Sequence, residues 1–576
     1  MSSHNHYSRR AAIIGGFFAL CLIAIGARAA YLQLMRGESL SKLAVGQVEE
    51  RVTLQGQRGT IYDTRHQPMA VSVDAFSVAA NPEAIEDIPD AARRLAAALH
   101  LNPRSVLHKL TDGNHFVWLK RQASPREAEE VRKLKLAGIE FISEHNRFYP
   151  NKALAAQVLG FTGIDGHGLE GIEFLYEREL QGGVHSVTIR KDALGRGFDS
   201  GQLAAPRRSG NNLVLTIDGH IQYISEQALA QAVTAHNAKS GMAIVMNPAT
   251  GALLAMAHYP FFNPNVYGRF DRQAWRNRAI TDPFEPGSTM KIFSAAAALE
   301  DGISSPHTIF YCENGSYLIG SHTLNDTKAH GWLSLQQIVK YSSNIGVVKV
   351  AEKIGPKALH HRLRDFGFGK RSRVDCPGES PGALSDYKRW TALDTSAIAF
   401  GQGVSVTGLQ LVTAVAALAN NGLMMRPQIV RTITDASGRP IKTFEPQPVR
   451  QVVSTDTALA VRRIMRSVIT SGGTGMRAEL DGYSVSGKTG TAQKIDKSGQ
   501  YAPDSYMASF VGFAPAQRPA LAVLVVVDEP EGSHYGGIVA APAFKQIIKE
   551  SLGYLNIAPG DGLPKLRVSR NMGVNG

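Results

Sequence analysis

Cysteine is scarce in this chain, three residues among 576, too few for a disulfide framework. Cys21 lies in an apolar run. Cys312 and Cys376 leave room for one bridge if both reach an oxidising compartment. No spacing of His, Cys, Asp or Glu reads as a metal site, no glycine-rich phosphate loop stands out, and no internal repeat is visible. Basic residues outnumber acidic ones, 62 Lys and Arg against 49 Asp and Glu, for a formal charge of +13. They are dispersed, without the basic block or signature of a nucleic-acid-binding protein, which argues against nucleic acid as a partner. An anionic membrane surface or an anionic polymer suits the excess better, and a solvated basic surface accounts for it equally well. A hydrophobic content of 44% and a charged content of 19% are those of a globular protein. The length allows one large domain and at least one smaller one.

Long apolar runs are few as well. Residues 11–27 (AAIIGGFFALCLIAIGA) carry no charge, and apolar character resumes after Arg28. A helix of that length spans roughly 25 Å, and with Arg28 reaching toward the headgroups, residues 11–35 can cross a core of about 30 Å. Arg9 and Arg10 precede the run, so residues 1–10 stay in the cytoplasm and everything after the anchor is exported. A competing reading is a cleaved signal peptide, because Ala27-Arg28-Ala29 resembles a cleavage site. The long apolar core and the arginine within that site favour an uncleaved anchor.

What the chain does contain is organised around Glu285-Pro286-Gly287-Ser288-Thr289-Met290-Lys291. Pro286 and Gly287 mark a turn, and the alanine-rich run from Ser288 predicts a helix ending near Gly302. Ser288 and Lys291, three apart, then project from one helix face. A serine hydroxyl needs a neighbouring base to act as a nucleophile, and an amine serves if burial or another cation keeps it partly neutral. A lone S-x-x-K is common by chance. Here it is followed by Ser342-Ser343-Asn344, 54 residues on from Ser288, and by Lys488-Thr489-Gly490-Thr491 in a run that reads as a strand. Three such motifs in this order make coincidence improbable.

Around them, residues 91–101 and 125–135 read as amphipathic helices, residues 58–73 as strand–turn–strand, and residues 169–180 as a helix. Residues 205–212 (APRRSGNN) form a linker. Residues 213–218 open a strand, a helix begins near His220, and residues 241–260 form a hairpin. Helices dominate from Ser288 to about Gly422. Residues 521–530 read as a strand, and a helix begins near Ala540. Strands at both ends with helices between them predict an α/β domain whose central sheet contains Lys488.

The three motifs resemble those of penicillin-binding proteins and serine β-lactamases. The whole chain resembles the class B penicillin-binding proteins, most closely the division-specific peptidoglycan D,D-transpeptidases. Residues 58–73 (RGTIYDTRHQPMAVSV), the stretch from Arg147 through LGFTGIDGHGLEGIE, residues 400–411 (FGQGVSVTGLQL) and residues 534–544 (HYGGIVAAPAF) carry that resemblance. Two departures stand out: Gly408, where the family has proline, and TRHQ after Asp63, where it prefers R-N-G. The resemblance implies an α/β transpeptidase domain over 206–558, a central antiparallel sheet with helices plus an all-helical subdomain. It also implies an elongated α+β noncatalytic module over 37–205, one transmembrane helix over 11–35 and a flexible tail over 559–576.

It implies roles as well. Ser288 attacks the D-Ala-D-Ala carbonyl of a stem peptide and Lys291 takes its proton. Ser342 relays a proton to the departing amine with Lys488 polarising it, Asn344 orients Lys291 and the peptide, and no metal or organic cofactor is needed. Thr489, Gly490 and Thr491 line the substrate's carboxylate end, and the backbone N–H groups of Ser288 and Thr491 form an oxyanion hole. Peptidoglycan stem peptides and lipid-linked precursor-derived glycan are the implied substrates, with β-lactams as covalent inhibitors. An FtsW-type glycosyltransferase and other division proteins are the implied partners, at the septum of a bacterial inner membrane with the catalytic domain in the periplasm. Arg58 and Arg147 are candidates for internal ion pairs holding the module to its neighbour across the junction. An elongation-type transpeptidase, a D,D-carboxypeptidase or β-lactamase, a β-lactam sensor and an idle scaffold are the alternatives. The anchor, the large module and the intact motifs weigh against the last three.

Overall fold

A computed structural model describes residues 4–36, 49–112, 116–190, 209–496 and 498–559. The expected tail beyond 559 and most of the 205–212 linker lie outside them. Compactness divides the chain into Met1–Gln57 with Gly182–Ser209, and Arg58–Gln181 with Gly210–Gly576. The expected 37–205 module is thus split between the two units.

In the first unit, helix His4–Ala30 continues as a π-helical turn, Tyr31–Met35. The stretch Arg10–Met35 is long and apolar enough to cross a membrane. Strands Glu49–Gln55 and Val184–Arg190 pair antiparallel.

The second unit is built on two sheets. In the first, Ile61–Tyr62 pairs antiparallel with Pro68–Ala80 and parallel with Asn212–Leu215. Val117–Ala123 and Ile139–Phe148 both pair with Pro68–Ala80, and Val430–Thr434 pairs with Asn212–Leu215. Residues from both sides of the predicted linker therefore share one sheet. Helix Ile88–Leu99 covers the module end, starting three residues before its predicted position because Asp87 caps it. The predicted helix over 169–180 is broken at Tyr176 into Gly171–Leu175 and Glu177–Leu180.

The second sheet is five-stranded and antiparallel, in the order Ser486–Ile495, Tyr501–Ala514, Leu521–Asp528, Ser240–Met246, Leu253–Tyr259. Strand Leu521–Asp528 is apolar on both faces because both are covered. Val523, Val525 and Val527 pack in one core with Phe544 and Ile547 of helix Ala541–Tyr554 and with Leu229 of helix Gly219–Ala235. Leu524 and Val526 pack in the other with Leu409 and Leu411 of helix Gly408–Ala419. The departure at Gly408 falls on the first residue of that helix, a position proline also suits. Thr407 and Gln410 hold the turn with a reciprocal capping box, and a Cβ at Gly408 would lie 3.0 Å from Met242 Sδ.

Between these strands lie the helices, with small strand pairs among them, Ile309–Tyr311 with Trp332–Ser334, Ser316–Ile319 with His322–Asn325 and Leu423–Met425 with Pro448–Gln451. Cys312 and Cys376 are both buried as free thiols, so the possible bridge is not formed. Arg58 and Arg147 do form internal ion pairs, both to the fully buried Glu173 at 2.7 Å, with Arg58 also on Glu177 at 2.6 Å. The expectation needs correcting in one respect: these partners belong to the module itself. The junction is crossed elsewhere, by Arg65 to Asp218 at 3.2 Å and by Asn265, whose side chain pairs with the Tyr149 backbone at 2.9 Å.

Candidate active site

Ser288 does not open an α-helix. Gly287–Met290 is a 3₁₀ turn, and the α-helix runs Lys291–Glu300. With three residues per turn, side chains at i and i+3 eclipse, which stacks Lys291 beneath Ser288 more directly than an α-helix would. The helix is buried all round, from Lys291 to Ala298, so Lys291 has no route to bulk water along its own element. Glycine is required where this turn meets the Lys488 strand. Gly287 has φ +53° and an added Cβ would fall 2.4 Å from Thr491 O. At Gly490 it would meet Ser509 Oγ at 2.3 Å and Thr289 Cγ2 at 2.9 Å.

The residues of all three motifs converge on Lys291. Its Nζ lies 3.1 Å from Ser288 Oγ, 3.2 Å from Ser342 Oγ, and 2.6 Å from both Ser342 O and Asn344 Oδ1. The Asn344 amide is oriented unambiguously, since Nδ2 donates to Asn325 O at 3.3 Å and only Oδ1 then faces the lysine. Two of the four neighbours are carbonyl oxygens, which only accept. A neutral amine gives its two hydrogens to these and turns its lone pair toward the hydroxyls. Burial lowers the Lys291 pKa to about 7, partly opposed by the charge of Asp326.

Lys488 is equally buried and donates to Ser342 Oγ at 3.0 Å and to Thr489 O at 3.1 Å. Its pKa is pushed well down by burial and by Lys291. Two amines thus share one hydroxyl with no carboxylate in hydrogen-bonding contact with either, and they hold fewer than two protons at neutral pH. Ser342, which bridges them, is held in the left-handed region at φ +61°, a conformation costly for a residue with a Cβ.

Asp326 holds that conformation from below. It accepts from Ser343 Oγ and from the backbone N–H groups of Asn344 and Ile345, capping helix Asn344–Ile354. No spacing in the sequence points to Asp326. Thr474, likewise unsignalled, shares a hydrogen bond with Thr489 at 3.0 Å. Thr491 Oγ1 accepts from Gly536 N at 3.3 Å, which ties the HYGG stretch to the strand. Glu285, three residues before Ser288, accepts from Gly403 N at 2.8 Å and from Tyr501 OH at 3.1 Å. A cavity of about 380 Å³ lies beside this network rather than within it, lined by Phe284, Glu285, Ala492 and Lys494 among others. Among the described residues no cluster of His, Cys, Asp and Glu could hold a metal ion.

The arrangement can do acyl transfer: a nucleophile, a neutral base, a shared hydroxyl and a second amine within one hydrogen-bonded chain. Residues 241–549 match the penicillin binding protein transpeptidase domain, and residues 53–215 match the penicillin-binding protein dimerisation domain. The probable peptidoglycan D,D-transpeptidase PenA of Neisseria meningitidis serogroup A is 35% identical over 553 residues, 94% of this chain and 92% of the relative. The peptidoglycan D,D-transpeptidase FtsI of Escherichia coli K12 is 34% identical over 570 residues, 96% of this chain and 93% of the relative. Among solved structures, penicillin binding protein 3 of Mycobacterium tuberculosis complexed with aztreonam aligns with a TM-score of 0.70 at 28% identity, covering 88% of this chain and 98% of that one.

Proposed function

The chain belongs to the penicillin-binding protein transpeptidase family, and from that premise we propose that Ser288 is the acylating nucleophile of its reaction. It is a peptidoglycan D,D-transpeptidase, acting on stem peptides that end in D-Ala-D-Ala and acylated by β-lactams. One observation carries the assignment of roles: Lys291 Nζ lies 2.6 Å from two carbonyl oxygens, which can only accept, and 3.1 Å from Ser288 Oγ, so a neutral amine that gives its hydrogens to the carbonyls has its lone pair left for the serine hydroxyl.

Ser288 Oγ attacks the penultimate D-alanine carbonyl carbon as its proton passes to Lys291 Nζ. The backbone N–H groups of Ser288 and Thr491 receive the oxyanion, a contribution of about 3 kcal/mol per donor in other enzymes. The C–N bond breaks, and the proton reaches the departing D-alanine amine through Ser342 Oγ, which lies between Lys291 and Lys488. Asn344 orients Lys291 and the peptide backbone. Lys488, Thr489 and Thr491 face the terminal carboxylate, with Gly490 leaving space beside them. An amine from a second stem peptide attacks the ester, gives its proton to Lys291, and releases Ser288 with a new amide. A β-lactam forms the same ester without releasing a small amine, so it stays attached.

Residues 11–35 anchor the chain in the bacterial inner membrane. The catalytic domain, 206–558, then works in the periplasm, and the 37–205 module docks an FtsW-type glycosyltransferase and other division proteins at the septum. The likeness to FtsI over nearly the whole chain and the match to the dimerisation domain support this placement. Intact-mass measurement of the full chain with labelled penicillin tests the core assignment. One adduct per chain, on Ser288 and lost in Ser288→Ala, is expected. Label on another serine, or label retained in the variant, refutes it.

A further inference from the structure

Folding leaves an aromatic face in solvent beside the Ser342 motif. In the pair Ile309–Tyr311 with Trp332–Ser334, Tyr311 sits directly opposite Trp332, with ring centroids 4.9 Å apart. Trp332 is 69% exposed and Ile309 60% exposed. Two residues before Trp332, His330 stacks on Tyr341 at 5.3 Å and an interplanar angle of 16°. His330 and Trp332 are joined by a single residue, so their Cα atoms lie within about 7 Å of each other. Tyr341 is followed by Ser342, the hydroxyl shared by both active-site lysines. Two ring pairs therefore lead along one short stretch of chain to the catalytic cleft.

Exposed apolar and aromatic groups that gather into one contiguous patch mark a binding surface, and a patch that runs toward an active site suits what enters that site. The charges around it are mixed, with Glu313 on Lys349 and Glu352 accepting from Tyr317 OH at 2.9 Å, while three lysines stand over rings. Lys340 lies 5.6 Å from the centre of the Tyr341 ring, Lys353 stands over Phe310, and Lys349 stands over Tyr317 while also pairing with Glu313. Hexopyranose rings offer a face of polarised C–H groups that suits the negative face of an aromatic ring. The free carboxylates of the stem peptides they carry suit lysines.

We propose that this face, centred on Trp332 and Tyr311, is a docking platform for the sugar backbone of the peptidoglycan strand whose stem peptide enters the cleft. The proposal rests on the transpeptidase reading and adds a second, remote contact to it. Such a contact raises effectiveness toward polymeric substrate and leaves small substrates untouched, because a short peptide or a β-lactam never reaches the platform.

The test compares full-length wild type, Trp332→Ala and Trp332→Phe in detergent with three probes. These are labelled penicillin, a short peptide ending in D-Ala-D-Ala, and soluble uncross-linked glycan strands bearing the same peptide. For Trp332→Ala, penicillin acylation and short-peptide turnover should equal wild type, while KM for the strands rises about tenfold or more. Trp332→Phe should restore most of the difference, and glycan strands without stems should compete with the polymer on wild type only. Equal loss on all three probes would mean that Trp332 merely supports the cleft, and the platform is then wrong. Unchanged KM for the strands would mean that another partner covers the face, which also overturns it. Failure of wild type to acylate with penicillin at Ser288 would instead refute the transpeptidase reading itself.

Discussion

The molecule buries charge twice, and treats it in opposite ways. In the N-terminal part of the second unit, Arg58 and Arg147 share the fully buried Glu173, with Glu177 on Arg58, so two cations meet two anions. In the cleft, Lys291 and Lys488 meet only hydroxyls, carbonyls and one amide oxygen. Matched burial keeps ions ionised and makes a joint that resists change. Unmatched burial takes the charge away and leaves a reactive amine. Identity matters as well: a guanidinium stays protonated where it is buried, whereas an ammonium gives up its proton readily. The use of arginine in one cluster and lysine in the other follows from that.

Breaking the unmatched cluster should have the largest effect, and on rate rather than stability. Lys291→Ala is expected to slow acylation by penicillin by about 10²–10⁴-fold or more, since the base is lost and the nucleophile loses its partner. Its melting temperature should change little, because the desolvation cost removed with the amine offsets the hydrogen bonds lost at Ser342 O and Asn344 Oδ1. Stopped-flow acylation and calorimetry on the same preparation check both halves, and a rate within tenfold of wild type would give the proton to another group.

Breaking the matched cluster should do the reverse. Glu173→Ala strands the buried Arg147 guanidinium and leaves Arg58 only Glu177, and should cost about 3–5 kcal/mol of stability, the usual loss for an uncompensated buried charge. Protein that remains folded should still acylate near the wild-type rate. Denaturant unfolding with acylation of the folded fraction measures both, and a loss below about 1 kcal/mol would show that the cluster relaxes into water.

The mildest probe is pH. Lys291 is a base with a pKa near 7, so acylation should fall about tenfold per unit below pH 6 and level off above pH 8. The folded amine binds its proton less tightly than the unfolded one at about 10.4. Between these values the unfolded state holds more protons, so this group's contribution to stability increases with pH from about 7 to 10. An acylation profile flat from pH 5 to 9 would contradict the neutral base.

The candidate site was legible because each motif is short and linear: Ser288 with Lys291, Ser342 with Asn344, Lys488 with Thr489 and Thr491. Three features had no linear signal. Asp326 lies among turn residues and acts on Ser343, Asn344 and Ile345 only once the fold brings it beneath them. The 3₁₀ turn at Gly287–Met290 has the composition of an α-helix start, and tertiary packing against Thr491 decides between the two. The strands at Ile309–Tyr311 and Trp332–Ser334, three residues each, are too short for alternation to register. Arg58 and Arg147 could be singled out as ion-pair candidates, but Glu173 lies 115 residues from the first, and nothing local names it.

The parallel pairing of Ile61–Tyr62 with Asn212–Leu215 has a practical consequence for anyone cutting this protein. A soluble fragment begun at the linker, near residue 206, would strip that neighbour away and bare the backbone N–H and C=O groups along one side of Asn212–Leu215. A freshly opened strand is a template for another chain, so such a fragment is expected to self-associate even though Ser288, Lys291, Ser342 and Lys488 are all present. A fragment begun just before Arg58 keeps the strand covered.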